Sequence, residues 1–147
     1  MWGTLANDPW GVNETGHLAG PFGGALDIDV HKQSDINILK LRGPFKLGPA
    51  VESFRNSVDP ILRERSPKII VNLTEVNSMD SSGIGALVRS QTTAKQQGGA
   101  IKLVNPSKLV VQTLRFVGLL NVFEVHPDEN AAIASFGGIH AAQDAGR

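Results

Sequence analysis

Residues 79 to 86, Met-Asp-Ser-Ser-Gly-Ile-Gly-Ala, set a carboxylate, two adjacent hydroxyls and two glycines side by side. A serine hydroxyl can attack a carbonyl, receive a phosphoryl group, or cap a helix, and its neighbours decide which. Nucleophilic attack needs a base and a strained turn. Ser82-Gly83 is no G-x-S-x-G elbow, because Met79 stands where the first glycine belongs. The four histidines, His17, His31, His126 and His140, are scattered along the chain, and His31 reads as a surface residue. No carboxylates pair at helical spacing on an apolar face. There is no G-x-x-x-x-G-K-[ST] phosphate loop and no G-x-G-x-x-G after a strand. Catalysis by this chain is not expected, nor is a cofactor or a metal.

The remaining chemistry is presentation. At a strand-to-helix junction the first helical amides lack partners, and an aspartate or serine there accepts from them. One cap suffices, yet Asp80, Ser81 and Ser82 offer three. Gly83 and Gly85 follow, each costing about 1 kcal/mol in a helix against alanine. Small residues beside a hydroxyl leave room for another molecule to approach. A phosphate is also tolerated at a helix start, where the partial charge is positive. The pattern is that of a hydroxyl offered to a visitor.

The elements around it follow from periodicity. At 147 residues the chain suits one domain with a single core. Residues 1–24 are glycine-rich and aperiodic, the composition of a flexible leader, yet they hold both tryptophans, Trp2 and Trp10. An aromatic outside the core is idle, docked on the domain, or a partner contact. A domain is expected over 25–137, with a flexible tail over 138–147. Ala25–His31 and Ile36–Leu41 alternate like strands, turned by Lys32–Asp35 into a hairpin. A helix begins near Gly48-Pro49 and buries Val51, Phe54, Val58, Ile61 and Leu62. Lys68–Leu73 reads as a central strand, and a second helix starts near Ser82 and stops at Gly98-Gly99. Ile101–Val104 is a strand. A third helix follows through Leu109, Val110, Leu114 and Phe116, ended by Gly118. Val122–Val125 is a short last strand, and Pro127-Asp128-Glu129 opens a final helix with Ala132, Ile133 and Phe136, frayed from Gly137 onward. Two strands followed by alternating strand and helix give an α/β fold: a four- to five-stranded mixed sheet with about four helices packed mainly on one face.

Composition excludes several partners. Fourteen basic residues balance 14 acidic ones, so no global field draws nucleic acid or an anionic membrane. With no cysteine, disulfides, thiol catalysis and cysteine-zinc sites are excluded. No stretch reads as a signal peptide or a membrane span, and a cytoplasmic location is expected.

At this point the sequence resembles a known family. Ile69–Leu73, then Met79–Gly85, then Gly98–Pro106 and Leu114–Phe123 look in order like the STAS domain of bacterial anti-sigma factor antagonists, over roughly residues 26–136. The resemblance implies the STAS fold and a partner-switching role in transcription. It implies that the unphosphorylated chain binds an anti-sigma factor that is also a serine protein kinase of the histidine-kinase-like ATPase type, freeing a sigma factor. It further implies that this kinase phosphorylates Ser81, that a PP2C-type phosphatase reverses it, and that Asp80, Ser82, Gly83, Ile84, Gly85 and Lys46 meet the partner. ATP and magnesium then belong to the kinase. One departure stands out: family members commonly carry G-x-[LIV]-D after the second strand, whereas Gly43-Pro44-Phe45-Lys46 puts a cation in place of the acid. Lys46 and the tryptophan-bearing leader favour an alternative: a non-switching STAS scaffold in a stress-signalling or transporter-associated complex.

Overall fold

The computed structural model describes residues 26–141, with side chains over 26–136. The leader with Trp2 and Trp10, and the last six residues, lie outside the described residues.

The chain runs β1 (Asp27–Gln33), β2 (Ile36–Arg42), α1 (Pro49–Leu62), β3 (Lys68–Glu75), α2 (Ser81–Gln96), β4 (Ala100–Val104), α3 (Lys108–Phe116), a 3-10 turn (Leu120–Val122), β5 (Glu124–His126) and α4 (Glu129–Ala141). The five strands lie in sequence order in one sheet. β1 and β2 form the expected antiparallel hairpin, with Gln33 opposite Ile36 across Ser34-Asp35. The other pairs, β2·β3, β3·β4 and β4·β5, are parallel. Parallel neighbours require crossovers, and α1, α2 and α3 supply them.

Alternation sorts the sheet's side chains into two cores. Leu39, Leu41, Ile69, Val71, Leu73, Ile101 and Leu103 point to one face, where Phe54, Val58 and Ile61 of α1, Ile84 and Leu87 of α2, and Val110 and Leu114 of α3 cover them. Ile36, Ile38, Ile70 and Val104 point to the other, beneath Ala132 and Phe136 of α4. The central run Ile69-Ile70-Val71 is apolar without a break because both of its faces are covered.

Polar contacts fasten α4 to its face. Asp128 caps it, Oδ1 accepting from the Ala131 amide at 2.8 Å. Asn72 of β3 donates to Glu129 at 2.7 Å, and the buried Lys102 of β4 donates to Ser135 at 2.8 Å while its Nζ lies 4.2 Å from the centre of the Phe136 ring. α4 continues through Gly137-Gly138 to Ala141, past the fraying expected at Gly137. A second difference concerns α3: Val110 and Leu114 are buried, whereas Leu109 and Phe116 are exposed, Phe116 at 90%. The pair one turn apart defines the buried line, and Leu109 and Phe116 share the neighbouring, outward one.

Candidate functional site

Two loops leave the same edge of the sheet, after the parallel strands β2 and β3, the edge where open α/β sheets gather ligands. They do not stand apart. The Gly43 amide donates to Glu75 O at 3.0 Å and the Phe45 amide to Ser78 O at 2.9 Å, so β-like pairing between Phe45 and Met79 continues beyond the strands. Phe45 is fully buried and packs on Phe54, ring centres 5.0 Å apart, which plugs this loop into the main core.

Asp80 then locks the two loops together. Its Oδ1 accepts from the amides of Ser82 and Gly83, both at 3.0 Å, so Asp80 is the N-cap and α2 begins at Ser81, one residue before the start expected from sequence. Its Oδ2 accepts from the Leu47 amide at 3.0 Å, across 33 residues of chain. The carboxyl is held below its ordinary range by the Leu47 amide first. Desolvation opposes this, but the Gly83 and Ser82 amides and the positive charge of Lys46 add to the lowering. Asp80 is therefore ionised at neutral pH, and its hydrogen-bonding capacity is directed inward.

The two glycines separate by role. A Cβ on Gly83 would lie 2.3 Å from the carbonyl oxygen of Phe45, so the close passage of the loop over α2 demands glycine. A Cβ on Gly85 would meet nothing within 4 Å, and Gly85 is exposed. Gly83 and Ile84 are buried, so of the residues expected to meet a partner these two set the backbone's position rather than offering side-chain surface. Ser82 is half-buried. Ser81 is exposed at the first helical position, with Lys46 exposed on the facing loop. The exposed part of the motif is thus narrower than its sequence: Lys46, Ser81 and Gly85, with Asp80 and Ser82 half-buried between.

Leu47 joins this surface, and sequence reasoning missed it. It is 76% exposed, beside Lys46, with its amide tied to Asp80. Its only signal was its place in the turn before α1, outside the helix's buried stripe. Further from the site, no group of three or more metal-ligating side chains occurs among the described residues, and none of their helices is long and apolar enough to cross a membrane.

Comparison with known proteins agrees with this geometry. The STAS domain family model matches residues 27–132. The anti-sigma-B factor antagonist of Bacillus subtilis (strain 168) is 31% identical over 64 residues, which is 44% of this chain and 59% of that protein, so the match spans less than two thirds of the relative. The solved structure of the anti-sigma factor antagonist SpoIIAA in its unphosphorylated form superposes with a TM-score of 0.64 at 26% identity, covering 76% of this chain and 97% of that one. The murine anion transporter Slc26a9 contains a similar unit, with a TM-score of 0.63 at 21% identity over 74% of this chain and 18% of the transporter, a likeness of fold alone. With a mixed five-stranded sheet, a helix opened by Asp80-Ser81-Ser82-Gly83 and a family match across most of its length, the chain belongs to the STAS domain family.

Proposed function

We propose that this chain is a non-catalytic anti-sigma factor antagonist that works by partner switching. Unmodified, it binds an anti-sigma factor that is also a serine protein kinase of the histidine-kinase-like ATPase type. Phosphorylation of Ser81 releases it, and a PP2C-type phosphatase restores binding. The observation that carries the reading is the exposed Ser81 hydroxyl at the first turn of α2, flanked by an ionised Asp80 and followed by the uncovered Gly85.

The electrostatics give the switch its sign. Phosphorylation adds about −1.5 to −2 charges next to a carboxylate that is already negative. The amides of Ser82 and Gly83 already donate to Asp80 and are not free for a phosphate, and the Ile84 amide donates to Asp80 O. Helix amides therefore offset little of the new charge. Lys46 and solvent are left to do so, and a partner that buries the Ser81 face meets an uncompensated dianion. A loss of about 3 kcal/mol corresponds to more than a hundredfold in affinity.

Phosphopeptide mapping of residues 69–89 from growing and stressed cells tests the modification, and titration of purified Ser81→Ala and Ser81→Asp against the kinase tests its effect. Ser81→Ala keeps wild-type affinity, whereas Ser81→Asp binds at least tenfold more weakly. Equal binding by Ser81→Asp and wild type sinks the switch.

Lys46 favours a second reading, a constitutive STAS scaffold within a larger complex, since a cation beside Ser81 changes the surface that a kinase meets. An unmodified Ser81 under both conditions, together with partner capture that depends on Lys46, selects that reading.

A further inference from the structure

We infer that the groove between α1 and α2 is a docking site for an acidic segment of a protein partner. Arg55, Asp59, Leu62 and Arg63 form one wall, and Arg89, Ser90, Thr93 and Gln97 the other, around a cavity of about 310 Å³. On each helix these positions recur at helical spacing, so each wall is a single face. Leu62 and Ser90 are buried at the floor, and the three arginines are exposed at the rim. The Ser90 hydroxyl donates to Ala86 O at 2.8 Å and makes no demand on a ligand.

Charge selects the occupant. The chain as a whole is neutral, with 14 basic and 14 acidic residues, yet three arginines and one aspartate line this groove. None of the three has an ion pair or side-chain hydrogen bond among the described residues, whereas Arg42 pairs with both Asp27 and Glu75. One unpaired surface arginine is ordinary; three converging on one concavity form a counter-surface for carboxylates, which guanidinium groups bind with two parallel hydrogen bonds. The chain's own leader fits poorly, because residues 1–24 contain only two acids, Asp8 and Glu14.

Position joins the groove to the Ser81 face. Ser81, Gly85 and Arg89 are all exposed and lie four residues apart along α2. Eight residues of helix span about 12 Å. A partner seated on Ser81 can therefore place an acidic stretch in the groove without spanning the molecule. Such peripheral charge pairs speed encounter and make it salt-dependent.

The test uses the unmodified full chain and a short fluorescein-labelled peptide of glutamate and leucine, followed by anisotropy and by amide shifts in nuclear magnetic resonance. The peptide should bind more weakly as salt rises and shift amides at Arg55, Asp59, Arg63, Arg89, Thr93 and Gln97. Combined Arg55→Ala, Arg63→Ala and Arg89→Ala should weaken it at least tenfold, while Lys95→Ala, Arg115→Ala and Ser81→Ala leave it within twofold. A peptide with lysine for glutamate should not bind. Shifts located elsewhere, affinity unchanged in the triple variant, or inorganic phosphate that displaces the peptide from the same amides would each overturn the proposal. No kinase enters the experiment, so the result is separate from the fate of the Ser81 switch.

Discussion

Asp80 does two jobs with one carboxylate, and only one of them was legible in the sequence. A cap was expected from among Asp80, Ser81 and Ser82, because helix starts need an acceptor. The bond to the Leu47 amide was not, since nothing in the spacing of residues 47 and 80 says that their loops meet. Asp80→Ala should therefore cost more than a cap alone, about 2 kcal/mol by chemical denaturation at pH 7, with Asp80→Asn losing less because asparagine still caps. The acid dependence follows from the lowered carboxyl: a group whose folded value lies below its unfolded one stabilises above the unfolded value, and the benefit fades as pH falls through the folded value. The stability gap between wild type and Asp80→Ala should be constant from pH 8 to about pH 5 and shrink below about pH 4. A gap unchanged at pH 2 would remove the charge from the account. The glycines separate in the same way. Gly83→Ala forces Phe45 O or α2 to move and should cost at least about 2 kcal/mol. Gly85→Ala, in open space within a helix, should be neutral or stabilise by up to about 1 kcal/mol, and if the Ser81 face is a contact it should still weaken partner binding. Loss of folding in Gly85→Ala would contradict the space seen around it.

Among the elements, β2, β3, β4 and the first three helices were readable from period and punctuation, whereas the last strand, expected over Val122–Val125, starts two residues later at Glu124 because Val122 closes a 3-10 turn. Lys68–Leu73 announced itself as a run, and α2 ends near the glycines that were expected to stop it, with Gly98 at φ +85°. What sequence left open was which face each helix covers. The apolar residues of α4 say only that it packs, and its partners Ile36, Ile38, Ile70 and Val104 are assigned by the pleat, far away in sequence. The same holds for Lys102, whose position in an apolar strand gave no hint that its ammonium ends beneath α4, paired with the Glu124 carboxylate at 3.1 Å. Burial tends to raise the Glu124 carboxyl, and the hydrogen bonds from Lys102 and His126 outweigh it, leaving it below its ordinary range. A buried charge of this kind is weak support for stability. Lys102→Met should thus fold within about 1 kcal/mol of wild type by urea denaturation; a loss above about 3 kcal/mol would show that the Ser135 and Glu124 contacts stabilise more than an apolar stem can.

For the molecule as a whole, the sheet needs both coats. Four aliphatic side chains lie under α4, and burying each contributes about 1.5–3 kcal/mol, an upper estimate for the group of about 6–12 kcal/mol. That is comparable with the whole net stability of a domain this size, roughly 5–15 kcal/mol. A chain ending at Pro127 should lose its cooperative thermal transition and bind a hydrophobic dye. A sharp melt within a few degrees of the full chain would mean that the three-helix side suffices alone. The overall architecture was legible because its signals are local and agree with one another; the meeting of the two loops was not, because it depends on tertiary pairing beyond the ends of β2 and β3.

The clasp between Asp80 and Leu47 separates posture from address. Backbone groups hold the loop after β2, from Gly43 on Glu75 to Phe45 on Ser78 and Leu47 on Asp80, and none of those bonds uses the side chain at position 46. Position 46 thus reaches the frame only through the charge of Lys46 beside Asp80, and a change of side chain there removes none of these bonds. The side chain shown to the outside at position 46 is one outward letter, while the grammar that displays it is written in the backbone.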